Sequence, residues 1–355
     1  MADPRIVRHA EVLVDHSLKV QPGQKILISG TSSAAPLIRE CYRLILQRGA
    51  LPIHSISVPG MERIFYEWAN EQQLSYVEPT KMLFELADGM INILSQENTK
   101  ELTQADPAKV SLVRKARQPL TQYLMQGGLK WVLTLFPTNA YAQEAEMSLE
   151  EYEQFVYDAV NIDYDELHRS MAAAAEQFNR ASKVRIVGKD TDLTVDIAGR
   201  SAVLCSGEHN VPDGEFFFTP NHLLTEGHIY FEWPTVFSGR EISGIRLEFE
   251  KGKIVRFSAE KGGEFLEKIL NTDEGSRYLG ELGIGANFGI TRPTKDILFD
   301  EKIGGSIHLA VGRAYEEAGA GNESAIHWDM VKSLKDGGEI YLDGRLVQKN
   351  GKWVF

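Results

Sequence analysis

The sequence predicts an α/β N-terminal domain with a parallel sheet, followed by a strand-rich α+β C-terminal domain. Three observations carry this. Strand, helix and strand follow one another between Lys25 and Val58, the spacing of a βαβ unit. Near residue 183 that alternation gives way to short strands separated by glycine turns. At 355 residues the chain also exceeds what one hydrophobic core usually serves. The expected domains are 1–182 and 183–355.

An opening helix over 4–19 is predicted by Ile6, Val7, Ala10, Leu13, Val14 and Leu18, which fall near one face. QPGQKILISG reads as a turn and a short apolar strand, Lys25 to Ser29. APLIRECYRLILQRGA is a helix ended by Gly49, and LPIHSISV (51–58) is the next strand. MERIFYEWANEQQLSYV reads as one helix, and ELADGMINILS leads into a buried strand. Residues 107–127 form a mixed helix, and GGLKWVLTLFP is a strand stopped by Pro137. Ser148 and Glu151 form a capping-box pattern at the head of the next helix, and a further helix covers about 163–181. KVRIVGKDTDLTVDIAGR then alternates like a half-exposed strand pair. EKGKI and DGR are hairpin turns, and EKGGEFLEKILNTDEGSRYLGE is the helical segment of this half. His54 and Cys41 lie in apolar surroundings and read as core residues.

Composition excludes several classes. The net charge is −12 and the pI about 5.3, with no basic cluster to meet phosphates, so nucleic acid is not an expected partner. No run reaches the roughly 18 apolar residues of a membrane helix. The N-terminus lacks a signal-peptide pattern, and Cys41 and Cys205 fit no zinc-thiolate or disulfide framework, so a reducing cytoplasm is expected. The α/β half carries no GxGxxG after its first strand and no GxxxxGK[ST], which leaves it a scaffold rather than a nucleotide domain.

The chemistry concentrates between Glu281 and Asp329. Glu281, Glu301, His308, His327 and Asp329 stand there among glycines and short apolar runs, without the lysines of a solvated helix face. In SAIHWDM, a strand would put His327 and Asp329 on one face and Ile326, Trp328 and Met330 on the other. Such a pair can hold a metal. It is equally the pattern of a histidine oriented by a carboxylate in a hydrogen-bonded turn. Alone, His308 reads as a core histidine and Glu301, between Asp300 and Lys302, as an exposed acid. Glu215 opens the apolar run EFFF and needs a partner if buried, with no basic residue obvious nearby. Together the three Glu, two His and one Asp exceed the ligand need of one zinc and suit a two-metal hydrolase.

DGEFFFTP, EKGGEFLEKILNTDEGSRYLGELGIGAN, LFDEKIGGSIHLAVGRAY and GNESAIHWDM, in that order, resemble the M29 peptidase family of metallo-aminopeptidases. DTDLT (190–194) is an earlier anchor, and the likeness extends more loosely through PGQKILI and RGALPIH. The resemblance implies that the C-terminal domain is catalytic and binds two divalent ions, zinc, cobalt or manganese. The implied ligands are Glu215, Glu281, Glu301, His308, His327 and Asp329, with Glu281 bridging and the family's active-site tyrosine at Tyr315. It further implies release of N-terminal residues from short peptides, and a homodimer. The segment between GRAY and GNES is shorter than in the family, and that from Glu301 to His308 longer. Two other readings fit the residues: a two-metal hydrolase of another amide or ester, and a non-catalytic protein that binds peptides or uses a metal cluster structurally.

Overall fold

A computed structural model describes residues 3–355. It holds two compact units. One comprises the chain up to Asn161 together with Gly207–Pro212, the other Ile162–Ser206 with Asp213–Phe355.

The first unit is built on a five-stranded sheet in the order Leu51–Ser57, Lys25–Thr31, Gly89–Leu94, Lys130–Leu135 and Asn210–Val211, every pair parallel. The central strands bury Ile26, Ile28, Ile91, Ile93 and Val132, as a sheet covered by crossover helices requires. The helix Ala35–Gln47 buries Leu37, Cys41, Leu44 and Ile45. Cys41 is thus a core residue as predicted. His54 is not: Leu51–Ser57 is an edge strand carrying Pro52, and the His54 side chain is exposed.

Three element boundaries also depart from the sequence reading. The opening helix Pro4–Glu11 runs on into a π-helical stretch, Val12–Ser17. The helix expected over 61–77 is two, Met61–Trp68 and Glu71–Leu74, because Asn70 restarts the chain with a capping box to Gln73. The helical segment expected from Glu260 to Glu281 forms only Gly263–Leu270, a short 3-10 turn and then a strand.

Besides a two-stranded sheet, Thr235–Phe237 with Arg240–Ile242, the second unit packs two main antiparallel sheets. The larger has eight strands, ordered Lys253–Ser258, Ile245–Glu250, Glu226–Phe231, Thr191–Asp196, Lys183–Gly188, Glu339–Leu342, Arg345–Lys349 and Lys352–Trp353. Three of its hairpins close on Lys251-Gly252, Asp343-Gly344 and Asn350-Gly351, each pair with positive φ at both residues, as a type I′ turn requires. The smaller sheet has five strands, ordered His327–Ser333, Ser306–Gly312, Leu279–Gly285, Glu215–Phe218 and Val203–Cys205. Leu282, Ile284, Ile307, Leu309, Val311, Trp328, Met330, Phe216 and Phe218 join one core with residues of the eight-stranded sheet such as Val184, Leu193, Ile229 and Leu247.

The division between units falls at 161/162 rather than 182/183. The helix Tyr164–Asn179 sends Met171, Ala174, Ala175 and Phe178 into the core of the strand-rich unit, so it belongs there. The fold class is the predicted one, a parallel α/β unit followed by a strand-rich α+β unit. Among the described residues no helix is long and apolar enough to cross a membrane.

Candidate metal centre

The smaller antiparallel sheet of the strand-rich unit, with five strands, has two faces of opposite chemistry, and strand alternation decides which side chain goes where. The residues that join the core occupy one face. The other carries Glu215 and Phe217, then Glu281, Gly283 and Gly285, then His308, Ala310 and Gly312, then His327 and Asp329, each set spaced by two along its strand. Between the acids and imidazoles this face is lined by glycine and alanine. Gly283 pairs with His308 across the ladder, and a Cβ at 283 would stand 1.9 Å from the His308 ring. The small residues are what leaves room for the imidazole.

Six side chains converge there. His308 Nε2 lies 2.9 Å from Glu281 Oε1 and 3.3 Å from Glu215 Oε2. His327 Nε2 lies 3.2 Å from Asp329 Oδ2 and 3.9 Å from Glu281 Oε2. Glu301 comes from the end of the short helix Ile297–Asp300. One of its carboxylate oxygens and ligand atoms of Glu215 and His308 lie within 4.8 Å of one another, and Glu281, His308 and Asp329 form a second such group. Glu281 touches both histidines and sits at the middle.

The histidines are oriented as metal ligands usually are. His308 Nδ1–H donates to the Glu301 carbonyl at 3.0 Å, and His327 Nδ1–H donates to the Arg313 carbonyl at 2.7 Å. A carbonyl can only accept, so both Nε2 atoms are turned toward the carboxylates. Among the described residues, Glu215 Oε2, Glu281 Oε2 and Asp329 Oδ1 are buried without a hydrogen-bond partner. Buried carboxylate oxygens left unpaired are costly, and a divalent cation is the group that would satisfy three at once.

The electrostatics say the same. Burial, only partly offset by Lys302, pushes the Glu215 carboxyl up to about 8. Burial likewise raises Glu281, against the hydrogen bond from His308. Burial opposes charge on His308, yet Glu215 and Glu281 outweigh it and push the imidazole up to about 10. His327 goes up to about 9, chiefly through Asp329 acting against burial. The cluster therefore attracts positive charge strongly, whether protons or metal. Zinc, cobalt or manganese all suit a mixture of imidazole and carboxylate donors.

Tyr315 stands beside the cluster, its ring centroid 4.5 Å from that of His327 and 6.1 Å from that of Phe217. It is 38% exposed, yet partial loss of solvent and the charges of Asp329, Glu281 and Glu301 push its hydroxyl above the ordinary phenol range, so it stays protonated and able to donate. Of the three phenylalanines after Glu215, Phe216 and Phe218 are core residues, and only Phe217 shares the Glu215 face.

The loop before His327 is tied down. Asp273 accepts from Ser276 N and Oγ, from Ser324 Oγ, and from Ala325 N at 2.6 Å. Asn322 Nδ2 donates to the carbonyls of Gly275 and Gly312.

Two further groups escaped the sequence reading. Lys302 is fully buried, in contact with Glu301 Oε1 and 3.5 Å from Glu215 Oε1, and is the basic partner that Glu215 lacked. Burial works against its charge, but Glu215 and Glu301 hold it well above the ordinary lysine range. Its only signal was the EK pair at 301–302, which reads as a surface ion pair. Cys205, Asp213 and Glu215 form a third grouping. Burial and Asp213 raise the Cys205 thiol well above its usual range.

Comparison with known proteins follows the same line. The profile of the family described as thermophilic metalloprotease (M29) matches residues 2–353. Aminopeptidase 2 of Geobacillus stearothermophilus is 27% identical, over 97% of this chain and 94% of its own. Aminopeptidase T of Thermus thermophilus is 25% identical, over 97% of each chain. The solved structure of wild-type AmpT from Thermus thermophilus superposes with a TM-score of 0.85 at 24% identity, covering 99% of both chains. A 2,5-dihydroxypyridine dioxygenase from Pseudomonas putida KT2440 has a TM-score of 0.66 at 16% identity, covering 100% of this chain and 98% of its own. These two likenesses speak for the fold alone, and the second shows that the fold serves other chemistry too.

Proposed function

Since the chain belongs to the thermophilic metalloprotease family M29 and is thereby a peptide hydrolase of the aminopeptidase kind, we propose that it removes the N-terminal residue from short peptides, with water activated between two divalent ions. The observation that carries this reading is the set of three buried, unpartnered carboxylate oxygens on Glu215, Glu281 and Asp329, facing two imidazoles. Glu215, Glu281, Glu301, His308, His327 and Asp329 would hold the ions, with Glu281 bridging because it touches both histidines. When bound, such ions supply a water of near-neutral pKa and polarise the scissile carbonyl.

The remaining work falls to the chain. The Tyr315 hydroxyl donates to the carbonyl oxygen as it gains charge, the role an oxyanion-hole donor plays. A carboxylate of the cluster passes the proton of the attacking water to the leaving amine. The free α-amine of a peptide would be held by a carboxylate or an ion of the cluster, which would restrict cleavage to the N-terminal residue. Phe217 supports an apolar preference such as leucine, and the α/β unit serves as scaffold. A cytoplasmic homodimer belongs to the same proposal and rests on the family resemblance; sizing chromatography checks the assembly.

The test is release of p-nitroaniline from leucyl-p-nitroanilide by metal-stripped protein with Zn²⁺, Co²⁺ or Mn²⁺ added back, beside an N-acetylated substrate. Turnover is expected to return with metal and to need the free amine. Tyr315→Phe should lose roughly 10²–10³ in kcat while keeping its metal. Equal turnover of the acetylated substrate would make this a hydrolase of other amides. Bound metal with no turnover in folded protein would make the cluster structural.

A further inference from the structure

Lysine is almost never fully buried, and here one stands inside the donor cluster itself. Lys302 has 0% exposure, and its ammonium engages both Glu215 and Glu301. The backbone that carries it is pinned. Asn287 N–H donates to the Lys302 carbonyl at 2.9 Å, and Gly304 N–H donates to the Asn287 carbonyl at 2.8 Å. The ammonium is therefore built into the fold.

Its presence makes the two donor groups unequal. Glu281, His308 and Asp329 have no lysine or arginine within ion-pair distance among the described residues. Glu215 and Glu301 both have Lys302. His308 belongs to both groups but has one free ring nitrogen, since Nδ1 is committed to the Glu301 carbonyl. An ion that takes His308 together with Glu281 and Asp329 leaves the other position two carboxylates, each already neutralised in part by a fixed positive charge. A dication there must displace the ammonium or sit a few ångströms from it.

We propose that Lys302 is a built-in competitor for the second cation, so that the site loads in sequence. The first ion enters at Glu281, His308 and Asp329, and the second reaches Glu215 and Glu301 only at the expense of Lys302. The inference rests on the metal reading above and adds to it an order of filling and a residue that sets the gap.

Metal-stripped full-length protein titrated with Zn²⁺ tests it, followed by counting of the ions retained through gel filtration. Wild type should bind in two steps that differ by about a hundredfold or more, the scale a like charge at close range sets, and should retain one ion. Lys302→Met conserves volume, and Lys302→Gln keeps an N–H donor without charge. Either should bring the steps to within about tenfold and retain two ions. Without metal both variants should melt below wild type, and Zn²⁺ should restore them, because the ion replaces the lost ammonium. If neither variant folds, the wild-type isotherm decides alone. Two equal steps in wild type, or an unchanged gap in both neutral variants, would overturn the role of Lys302 and leave the metal reading standing. A wild-type protein that binds no Zn²⁺ would overturn both.

Discussion

Gly283 is the smallest part of the site and one of its strictest. A methyl group there would stand 1.9 Å from the His308 ring, so Gly283→Ala must push the imidazole out of its place. Metal content should fall at least tenfold, and activity about a hundredfold, with the far-ultraviolet circular dichroism unchanged. His9 gives a prediction of a different kind. Its Nε2 lies 2.7 Å from Thr134 Oγ1, whose hydroxyl donates to the Val211 carbonyl, so the imidazole must be the donor at Nε2. Burial depresses it from 6.5 to about 3. Between those values the unfolded chain binds the proton and the folded one refuses it, so stability is complete above 6.5 and lost as pH falls toward 3. The slope should reach at most about 1.4 kcal/mol per pH unit. Denaturant melts of wild type and His9→Leu between pH 4 and 7 measure it; the variant should lack this component. At this scale the sequence was legible where a pattern fixes direction. The alternation in IHWDM places His327 and Asp329 on one face whatever the tertiary context. It was illegible where burial decides: Lys302 reads as a surface partner of Glu301, and His54 as a core residue, because sequence does not say which strand is an edge.

Three of the six candidate ligands sit at element ends, Glu215 and His327 opening strands and Glu301 closing a helix, and three lie inside strands. His327 begins its strand, and the residues before it are bound to Asp273 through Ser324 and Ala325. Asp273→Ala should cost about 1.5–3 kcal/mol, the range for hydrogen bonds to a charged group. It should also raise KM or weaken metal binding, since the loop that leads into His327 is released. Chemical denaturation and a metal titration of the same sample check both. Helices and hairpins were mostly readable, since Ser148 with Glu151 and the Lys251-Gly252, Asp343-Gly344 and Asn350-Gly351 turns are local devices. The break at Asn70 was missed because ANEQQL has good helix formers on both sides of the cap. The two-residue strand Asn210–Val211 could not be read at all. Its only reason to be extended is a partner far away in sequence, Lys130–Leu135.

On the scale of the whole molecule, the six candidate ligands lie in one unit only, so metal should stabilise that unit alone. In calorimetry of the stripped protein, Zn²⁺ at a hundred times its Kd should add about 2.7 kcal/mol to the unfolding of the strand-rich unit. The transition of the α/β unit should stay where it was. The order of the two architectures was legible from the change of period near residue 183. The boundary was not, because the apolar stripe of Tyr164–Asn179 says that the helix packs on something and not on what. The chain, moreover, crosses between the units at 161/162, returns at 206/207 and leaves again at 212/213. This has a consequence for biosynthesis. On the ribosome, the first-made unit cannot close its sheet when residue 161 emerges; the edge of Lys130–Leu135 and the acceptor for Thr134 wait for Val211. Until then the nascent chain carries an open strand edge of the kind that invites wrong pairing. Gene fragments ending at residue 161 should accordingly be recovered as aggregates, whereas fragments that run past residue 212 let the parallel sheet finish before the strand-rich unit has been fully translated.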